Sequence, residues 1–209
     1  LISIKDLSIS FRINGVLNKV VQSISFDIFK GEILGIVGES GSGKSVTALS
    51  LMQLLRKCDK NHSSGKIIYK GRDLNQLKDS VVQSLRGREI AMIFQEPMSA
   101  LNPSMRCGKQ LEEVLLQHNI VDKKDCNSEI LRLFESVKIQ IPDQAIEKYP
   151  HELSGGQQQR IMIAMAIACR PNILIADEPT TALDMTVQRD IIKLIKSLQK
   201  ETKMAVVFI

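Results

Sequence analysis

One segment of the chain has the spacing of a phosphate-binding loop. Residues 38–45 read Gly-Glu-Ser-Gly-Ser-Gly-Lys-Ser and fit the pattern G-x-x-x-x-G-K-[S/T]. Glycines let the backbone turn so that several N–H groups point at one anion, and a helix N-terminus adds partial positive charge. Lys44 is expected to reach the β- and γ-phosphates, and the Ser45 hydroxyl to ligate Mg²⁺. The alternative is a glycine- and serine-rich surface turn. The predicted lining is Gly38, Glu39, Ser40, Gly41, Ser42, Gly43, Lys44, Ser45 and Val46.

Two adjacent carboxylates follow a short apolar segment and suit another part of phosphate chemistry. Residues 173–176 are typical of a buried strand, and Asp177 and Glu178 come directly after it. Successive strand side chains point in opposite directions, so the two carboxylates are expected to do different work. Asp177 suits the Mg²⁺-linked role of a Walker-B aspartate, and Glu178 suits a general base for an attacking water. A charged strand tip in solvent is the alternative.

A second helix start carries more glycine than a cap needs. Residues 153–160 read Leu-Ser-Gly-Gly-Gln-Gln-Gln-Arg, and Ser154 with Gln157 three residues later has the pattern of a capping box. Gly155 and Gly156 indicate close approach by another group, such as a phosphate. One nucleotide cannot easily occupy two helix starts that lie on opposite sides of a helical insertion. This start is therefore predicted to serve a nucleotide held by another subunit, with a simple glycine-containing cap as the alternative.

The apolar periodicity places these motifs on an α/β framework. Residues 1–11 and 20–29 alternate apolar and polar side chains around an Asn14-Gly15 turn signal, which predicts antiparallel strands. After this start, strands alternate with helices along the chain, which predicts a parallel α/β core. A helical insertion is predicted over about 96–149. The run at 32–37 is expected to be a buried parallel strand. The other predicted strands are 66–69, 89–94, 173–176 and 204–209, and the predicted helices are 43–56, 110–117, 127–137, 154–169 and 186–200.

Composition argues against several other classes of protein. The chain has 209 residues, 24% of them charged, and a formal net charge of +5, which disfavours a disordered tail or a fibrous repeat. No apolar run reaches the roughly 18 residues of a membrane helix, and no leader-like start indicates secretion. Four scattered cysteines without a C-x-x-C pair are typical of reduced thiols. Without long basic runs or tryptophan, the charge favours an ordinary basic surface over a nucleic-acid platform.

Taken together, the motifs resemble the ATP-binding subunit of ABC transporters. In chain order they are the phosphate loop, the glutamine of Phe94-Gln95-Glu96-Pro97, Leu153-Ser154-Gly155-Gly156-Gln157, Asp177-Glu178 and Ala182-Leu183-Asp184. The match covers essentially the whole chain. Residues 38–47 and 94–103 resemble the dipeptide and oligopeptide importer branch, which also includes nickel and glutathione importers. The resemblance implies a P-loop NTPase (RecA-like) core over 1–95 and 159–209, with an N-terminal antiparallel β part, and an inserted α-helical signature subdomain over 96–158.

The resemblance also implies roles for residues that the local patterns leave without one. Gln95 would contact Mg²⁺ and the attacking water, and Phe11 would stack on adenine. The alternative for Phe11 is a core position at the end of its strand. Two ATP molecules would lie between two head-to-tail subunits. The residues that would contact the partner's ATP or lie at the dimer seam are Ser154, Gly155, Gly156, Gln157 and Asp184.

The implied activity is ATP hydrolysis coupled to peptide uptake. The implied partners are a second ATP-binding subunit, two integral membrane permease subunits and, indirectly, a solute-binding protein, with no nucleic acid. The chain would be peripheral, at the cytoplasmic face of the cell membrane. The family carries a switch histidine after the strand predicted at 204–209, a place that His62, His118 and His151 do not occupy. A chain that stops at that strand is therefore expected to bind ATP but hydrolyse it poorly.

Two other functional classes share part of this pattern. DNA-repair and translation-factor ATPases carry the same motifs, but usually with long coiled-coil insertions or paired cassettes, and the insertion here is too short for a long one. A guanine-nucleotide switch would need an N-K-x-D reader, which Asn18-Lys19-Val20-Val21 does not supply. A transport motor is therefore favoured, with nickel or glutathione as the alternative cargo.

Overall fold

An antiparallel sheet forms the start of the chain, and the computed structural model describes residues 1–55, 61–95, 100–181 and 183–209. Asn14 and Gly15 have positive φ angles of 51° and 82°, as a tight hairpin turn requires. The predicted antiparallel start is therefore confirmed. The strands of this sheet are β1 (Ile2–Ile13), β2 (Val16–Ile28), β4 (Asn61–Tyr69) and β5 (Arg72–Asp73), in the order β2-β1-β4-β5.

A second, parallel sheet confirms the predicted α/β core. Its strands are β3 (Ile33–Gly35), β6 (Ile90–Ile93), β7 (Ile173–Ala176) and β8 (Ala205–Phe208), in the order β3-β8-β7-β6. The predicted parallel strand within 32–37 is present as β3, but the expectation that it is buried is wrong. Among the described residues β3 pairs only with β8, and Ile33 and Val37 are 43% and 93% exposed. An edge strand has a neighbour on one side only, so an apolar run there does not ensure burial.

The α-helices fall mostly where the periodicity predicts them. Those of the described residues are α1 (Lys44–Leu51), α2 (Asp79–Leu85), α3 (Cys107–Gln117), α4 (Cys126–Ser136), α5 (Pro142–Glu147), α6 (Gly155–Ile167) and α7 (Met185–Thr202). Helix α1 ends at Leu51 and not near Arg56, which lies outside the described residues. The short helices α2 and α5 were not predicted, because seven residues or fewer give little periodicity. None of the described helices combines the length and apolarity that crossing a membrane would need.

The parallel sheet is the middle of three layers. In β7, Ile173 and Ile175 belong to the apolar cluster of the antiparallel sheet and α1, whereas Leu174 belongs to the cluster of helices α3 to α7. Side chains alternate in the same way along β6 and β8. Successive strand side chains point to opposite faces, so a continuously apolar strand can bury both. The sheet and the loops at its ends are thereby held between two packed layers.

The helical cluster does not stop at the predicted subdomain limits. It runs from α3, α4 and α5 through α6 and α7 onto one face of the parallel sheet. The predicted limit between residues 158 and 159 falls inside α6. The division into a core and a helical signature subdomain therefore stays a prediction.

A hydrogen-bond network at the amino-terminal edge of the parallel sheet joins it to the antiparallel sheet. Glu89 Oε2 accepts from Tyr69 OH at 2.6 Å, Lys70 Nζ at 2.7 Å and Asn172 Nδ2 at 2.7 Å. The hydrogen bond from Lys70, followed by that from Tyr69, lowers the pKa of the Glu89 carboxyl. Burial and the bond to Glu89 raise the pKa of Tyr69 to about 12. Because Tyr69 ends β4 and Asn172 precedes β7, the network fixes one sheet against the other.

Candidate active site

Three loops meet at the carboxyl-terminal edge of the parallel sheet. Strand β3 leads into the phosphate loop at 38–45, β6 leads into Gln95, and β7 leads into Asp177 and Glu178. Because these strands run parallel in one sheet, their carboxyl ends lie along one edge. The sheet order therefore brings together the predicted catalytic and metal-binding residues from distant parts of the chain.

The phosphate loop is exposed and closed by its own hydrogen bonds. Ser42 N donates to Glu39 O at 3.2 Å, and Lys44 Nζ donates to Gly38 O at 2.9 Å and to Glu39 O at 2.8 Å. Gly41 has a φ of 80°, which side chains rarely adopt. The lysine ammonium thus lies over the loop, within reach of anything that the loop amides bind.

Gly43 is required by the packing of β2 as well as by the loop. It caps α1 with a φ of 91°, and a Cβ placed on it would lie 2.8 Å from Val20 O and 3.1 Å from Val21 Cγ2. The antiparallel sheet therefore presses directly on the start of α1. Sequence reasoning predicted a glycine for backbone freedom, but it did not predict this contact with β2.

Asp177 and Ser45 are direct neighbours. The Ser45 hydroxyl donates to Asp177 Oδ1 at 3.1 Å, and Asp177 is buried at the end of β7. Burial raises the pKa of the Asp177 carboxyl, against the hydrogen bond from Ser45, which lowers it. A hydroxyl and a carboxylate side by side are hard oxygen ligands of the kind that Mg²⁺ prefers.

Glu178 lies beside this pair, with its carboxylate held by two donors. Its φ of 44° is unusual for a residue with a side chain and turns the chain sharply after Asp177. Gln95 Nε2 donates to Glu178 Oε2 at 2.9 Å, and Thr181 Oγ1 donates to the same oxygen at 3.1 Å. Sequence reasoning did not single out Thr181. The only signal was a hydroxyl three residues after the predicted base.

The residues at this edge fit a nucleotide with Mg²⁺. A Cβ on Gly38 would lie 2.8 Å from Ser42 Oγ, so a larger residue there would require the Ser42 side chain to move. The loop offers backbone N–H groups and one ammonium to phosphate oxygens. Ser45, Asp177 and Gln95 supply only oxygen ligands, as a Mg²⁺ site requires.

The predicted capping box at the start of α6 is confirmed. Gln157 N donates to Ser154 Oγ at 3.4 Å, and Ser154 N donates to Gln157 Oε1 at 3.1 Å. Ser154 and Gly155 are exposed, so this helix start is open to another molecule. The side chain of Gln157 is engaged in the cap.

Neighbouring residues explain part of the signature without a ligand. A Cβ on Gly156 would lie 2.8 Å from Val187 Cγ1, so close packing against α7 already demands glycine there. Asp184 caps α7, because its Oδ1 accepts from Thr186 N and Val187 N, both at 3.0 Å. The roles of Gly156 and Asp184 toward a partner chain stay predictions.

Two further predicted features have no described contact with the residues at the carboxyl-terminal edge of the parallel sheet. Phe11 is half-buried in β1 and packs against the apolar cluster of the antiparallel sheet, as the core alternative predicts. Its stacking on adenine stays a prediction. Residues 96–99 of the glutamine motif, which begin with Glu96-Pro97, lie outside the described residues, as does Ala182.

Comparisons with known proteins agree on one family. The family model described as "ABC transporter" matches residues 21–181. The oligopeptide transport ATP-binding protein OppD of Bacillus subtilis is 46% identical over 209 residues, and the dipeptide transport ATP-binding protein DppD of the same organism is 47% identical over 208. Each alignment covers 100% of this chain but only 58% and 62% of those relatives, respectively. The glutathione import ATP-binding protein GsiA of Pectobacterium atrosepticum is 44% identical over 213 residues, covering 100% of this chain and 34% of that relative.

Solved structures have the same architecture. A dimeric ATP-binding cassette in a post-hydrolysis state, bound to ADP and phosphate, superimposes with a TM-score of 0.86 at 27% identity. The match covers 100% of this chain and 87% of that one. The P-loop NTPase fold with its antiparallel sheet and helical part is therefore confirmed.

Proposed function

The chain belongs to the ABC transporter family, and from this premise we propose that it binds and hydrolyses ATP as the motor subunit of a peptide importer. The observation that carries the proposal is the Ser45–Asp177 contact with Glu178 at its side. It joins a phosphate-binding loop, a site for Mg²⁺ and a candidate base at one sheet edge. A module that only bound nucleotide would need no such base.

Binding of ATP would use the phosphate loop and the lysine above it. The backbone N–H groups of residues 38–45 would hold the phosphates, aided by the start of α1. Lys44 would exchange the carbonyls of Gly38 and Glu39 for phosphate oxygens. Ser45 and Asp177 would hold Mg²⁺, with Gln95 near them, and the ion would offset the charge of the phosphates.

Hydrolysis would require Glu178 to act as a general base. Its carboxylate would take a proton from a water that attacks the terminal phosphorus, while the bond to the bridging oxygen breaks and ADP leaves with phosphate as the second product. Gln95 and Thr181 both donate to Oε2 and so orient the carboxylate. Both donors bind Oε2, so the other oxygen, Oε1, would accept the proton.

The signature at the start of α6 would act on a second chain. Ser154 and Gly155 are exposed, and the capping box leaves the helix start open toward solvent. Anions are stabilised at such a start. We infer that it contacts the ATP of a second ATP-binding subunit, so that ATP closes a head-to-tail dimer and hydrolysis opens it.

The relatives' names support a choice of cargo. OppD and DppD are named for transport of oligopeptides and dipeptides, and GsiA for import of glutathione, itself a peptide. We therefore assign peptides as the cargo class. The chain would work at the cytoplasmic face of the membrane, together with two permease subunits. A solute-binding protein would deliver the cargo to those subunits.

ATP-driven dimerisation of a Glu178→Gln chain tests this function. We expect Mg²⁺ and ATP to convert the monomer to a dimer in sedimentation or light-scattering measurements, because slow hydrolysis preserves the ATP-bound form. Adding Ser154→Arg should abolish the dimer and leave the monomer's affinity for a fluorescent ATP analogue unchanged. A fall in monomer affinity would mean that Ser154 serves its own chain's nucleotide. A parent chain that stays monomeric with bound ATP would refute the sandwich.

A further inference from the structure

A buried glutamine stands directly behind the signature serine. Gln158 is 4% exposed, and its Nε2 donates to Pro150 O at 2.7 Å and to Leu153 O at 3.2 Å. The side chain thus reaches back from α6 to the turn that enters it. That turn, Pro150–Glu152, is itself closed by Glu152 Oε2, which accepts from Tyr149 N at 2.7 Å.

The contact with Leu153 acts on Ser154 through one peptide unit. Leu153 O and Ser154 N belong to the same planar peptide, so a donor that fixes the oxygen also fixes the direction of the N–H. Ser154 N donates to Gln157 Oε1 at 3.1 Å, which closes the capping box. Gln158 therefore fixes the orientation of the Leu153–Ser154 peptide, which lies at the exposed start of α6.

We propose that Gln158 is a positioning residue that sets the orientation of Ser154 toward the nucleotide of the second chain. The inference rests on the proposed function, since it assumes that Ser154 meets ATP across a dimer. Gln158 would contact neither ATP nor the reacting atoms. It would act through the Leu153–Ser154 peptide alone.

The chemistry of the amide sharpens the proposal. Gln158 Oε1 has no hydrogen-bond partner among the described residues, so the group is used through its donor. An apolar side chain of similar size should fail in this role.

A second buried glutamine provides a matched control. Gln199 is 7% exposed near the end of α7, and its Nε2 donates to Gly31 O at 2.6 Å and Met204 O at 3.4 Å. The two glutamines thus make the same type of contact with backbone carbonyls. Gln199 has no described contact with the turn at 150–154. Gln199→Leu therefore shows the effect of losing the same type of side-chain-to-backbone contact elsewhere in the fold.

The experiment compares two variants in the Glu178→Gln chain. Gln158→Leu should bind the ATP analogue as the parent does but form the ATP-driven dimer at least about tenfold more weakly, equivalent to about 1.4 kcal/mol. Gln199→Leu should lower Tm about as much as Gln158→Leu does, but it should leave dimerisation unchanged. Equal dimerisation by Gln158→Leu and the parent, or equal loss in Gln199→Leu, would overturn the inference.

Hydrogen exchange of the monomer separates this inference from the proposed function. Gln158→Leu should speed exchange of the amides of Ser154, Gln157 and Gln158 at least about tenfold, because these amides depend on the cap. Gln199→Leu should leave them unchanged. A parent that does not dimerise refutes the proposed function, whereas unchanged exchange in Gln158→Leu refutes the positioning role by itself.

Discussion

The Ser45 hydroxyl donates to Asp177 Oδ1 across 3.1 Å, although 132 positions separate the two residues. One lies in the first turn of α1 and the other at the end of β7. The pair links the phosphate loop to the strand that carries the candidate base. Any change in the distance between α1 and β7 would therefore change the proposed metal site.

Asp177→Asn should abolish the dependence of nucleotide affinity on Mg²⁺ and raise stability at neutral pH. Burial raises the pKa of Asp177, so the folded state disfavours the charged form relative to the unfolded chain. This penalty is present above the raised pKa and vanishes as the pH falls below the ordinary carboxyl value. The variant should have a higher Tm than the parent at pH 7 and nearly the same Tm at pH 3. Asp190→Asn, on the exposed face of α7, is the control. An equal gain at both pH values would contradict the burial argument.

Lys44→Ala should weaken ATP binding at least about 30-fold, the effect of truncating a charged hydrogen-bonding group. Lys44→Arg should restore little, because the larger, planar guanidinium does not replace a compact ammonium among the phosphate oxygens. Titration of a fluorescent ATP analogue measures both. Lys5→Ala, an exposed lysine on β1, should bind normally. Unchanged affinity in Lys44→Ala would exclude the loop as the phosphate site.

Gly43→Ala and Gly41→Ala should differ sharply, although both glycines have positive φ. Gly41 at 80° faces open space, so alanine there adds only backbone strain of about 1 kcal/mol. Gly43 at 91° would also place its Cβ 2.8 Å from Val20 O, which a backbone atom cannot easily avoid. Gly43→Ala should therefore lower the free energy of unfolding by at least about 2 kcal/mol. Denaturant titration gives both values. Equal destabilisation would show that β2 yields to the new methyl group.

Glu178→Gln should retain ATP binding and slow hydrolysis about 10²–10⁴-fold, the usual contribution of a general base. Thr181→Val removes one donor to the same carboxylate oxygen but leaves Gln95 in place, so its effect should be smaller. Single-turnover hydrolysis of bound ATP measures the chemical step in both variants. If Thr181→Val were as slow as Glu178→Gln, the threonine would be as important for hydrolysis as the carboxylate.

Glu89→Gln should destabilise the protein by about 1–2 kcal/mol at pH 7, because it replaces a charged acceptor of several hydrogen bonds. The hydrogen bonds lower the pKa of Glu89, so its stabilisation is present above the unfolded carboxyl value and is lost as the pH falls through the lower folded value. The Tm difference between parent and variant should therefore narrow below about pH 4. Tyr69→Phe removes one of the hydrogen bonds that lower this pKa, so its smaller loss should narrow over the same pH range. A Glu89→Gln difference independent of pH would contradict the network.

The motifs and most elements could be predicted because their signals are local. A phosphate loop, the capping box at Ser154 and the strand at 173–176 each depend on residues close in sequence. Backbone conformation and side-chain periodicity respond to those short-range patterns. Roles of individual side chains in binding and catalysis stay predictions until they are measured.

Sheet order and packing were decided only by the tertiary structure. No local pattern predicted that β3 is an edge strand, that Val20 packs against Gly43 or that Thr181 contacts Glu178. These contacts depend on which strands pair and in which register, and pairing is set by the burial of whole faces across the chain. Residue types and their spacing indicate which groups could bind a phosphate, and the pairing of strands in the folded sheet brings some of these groups into contact.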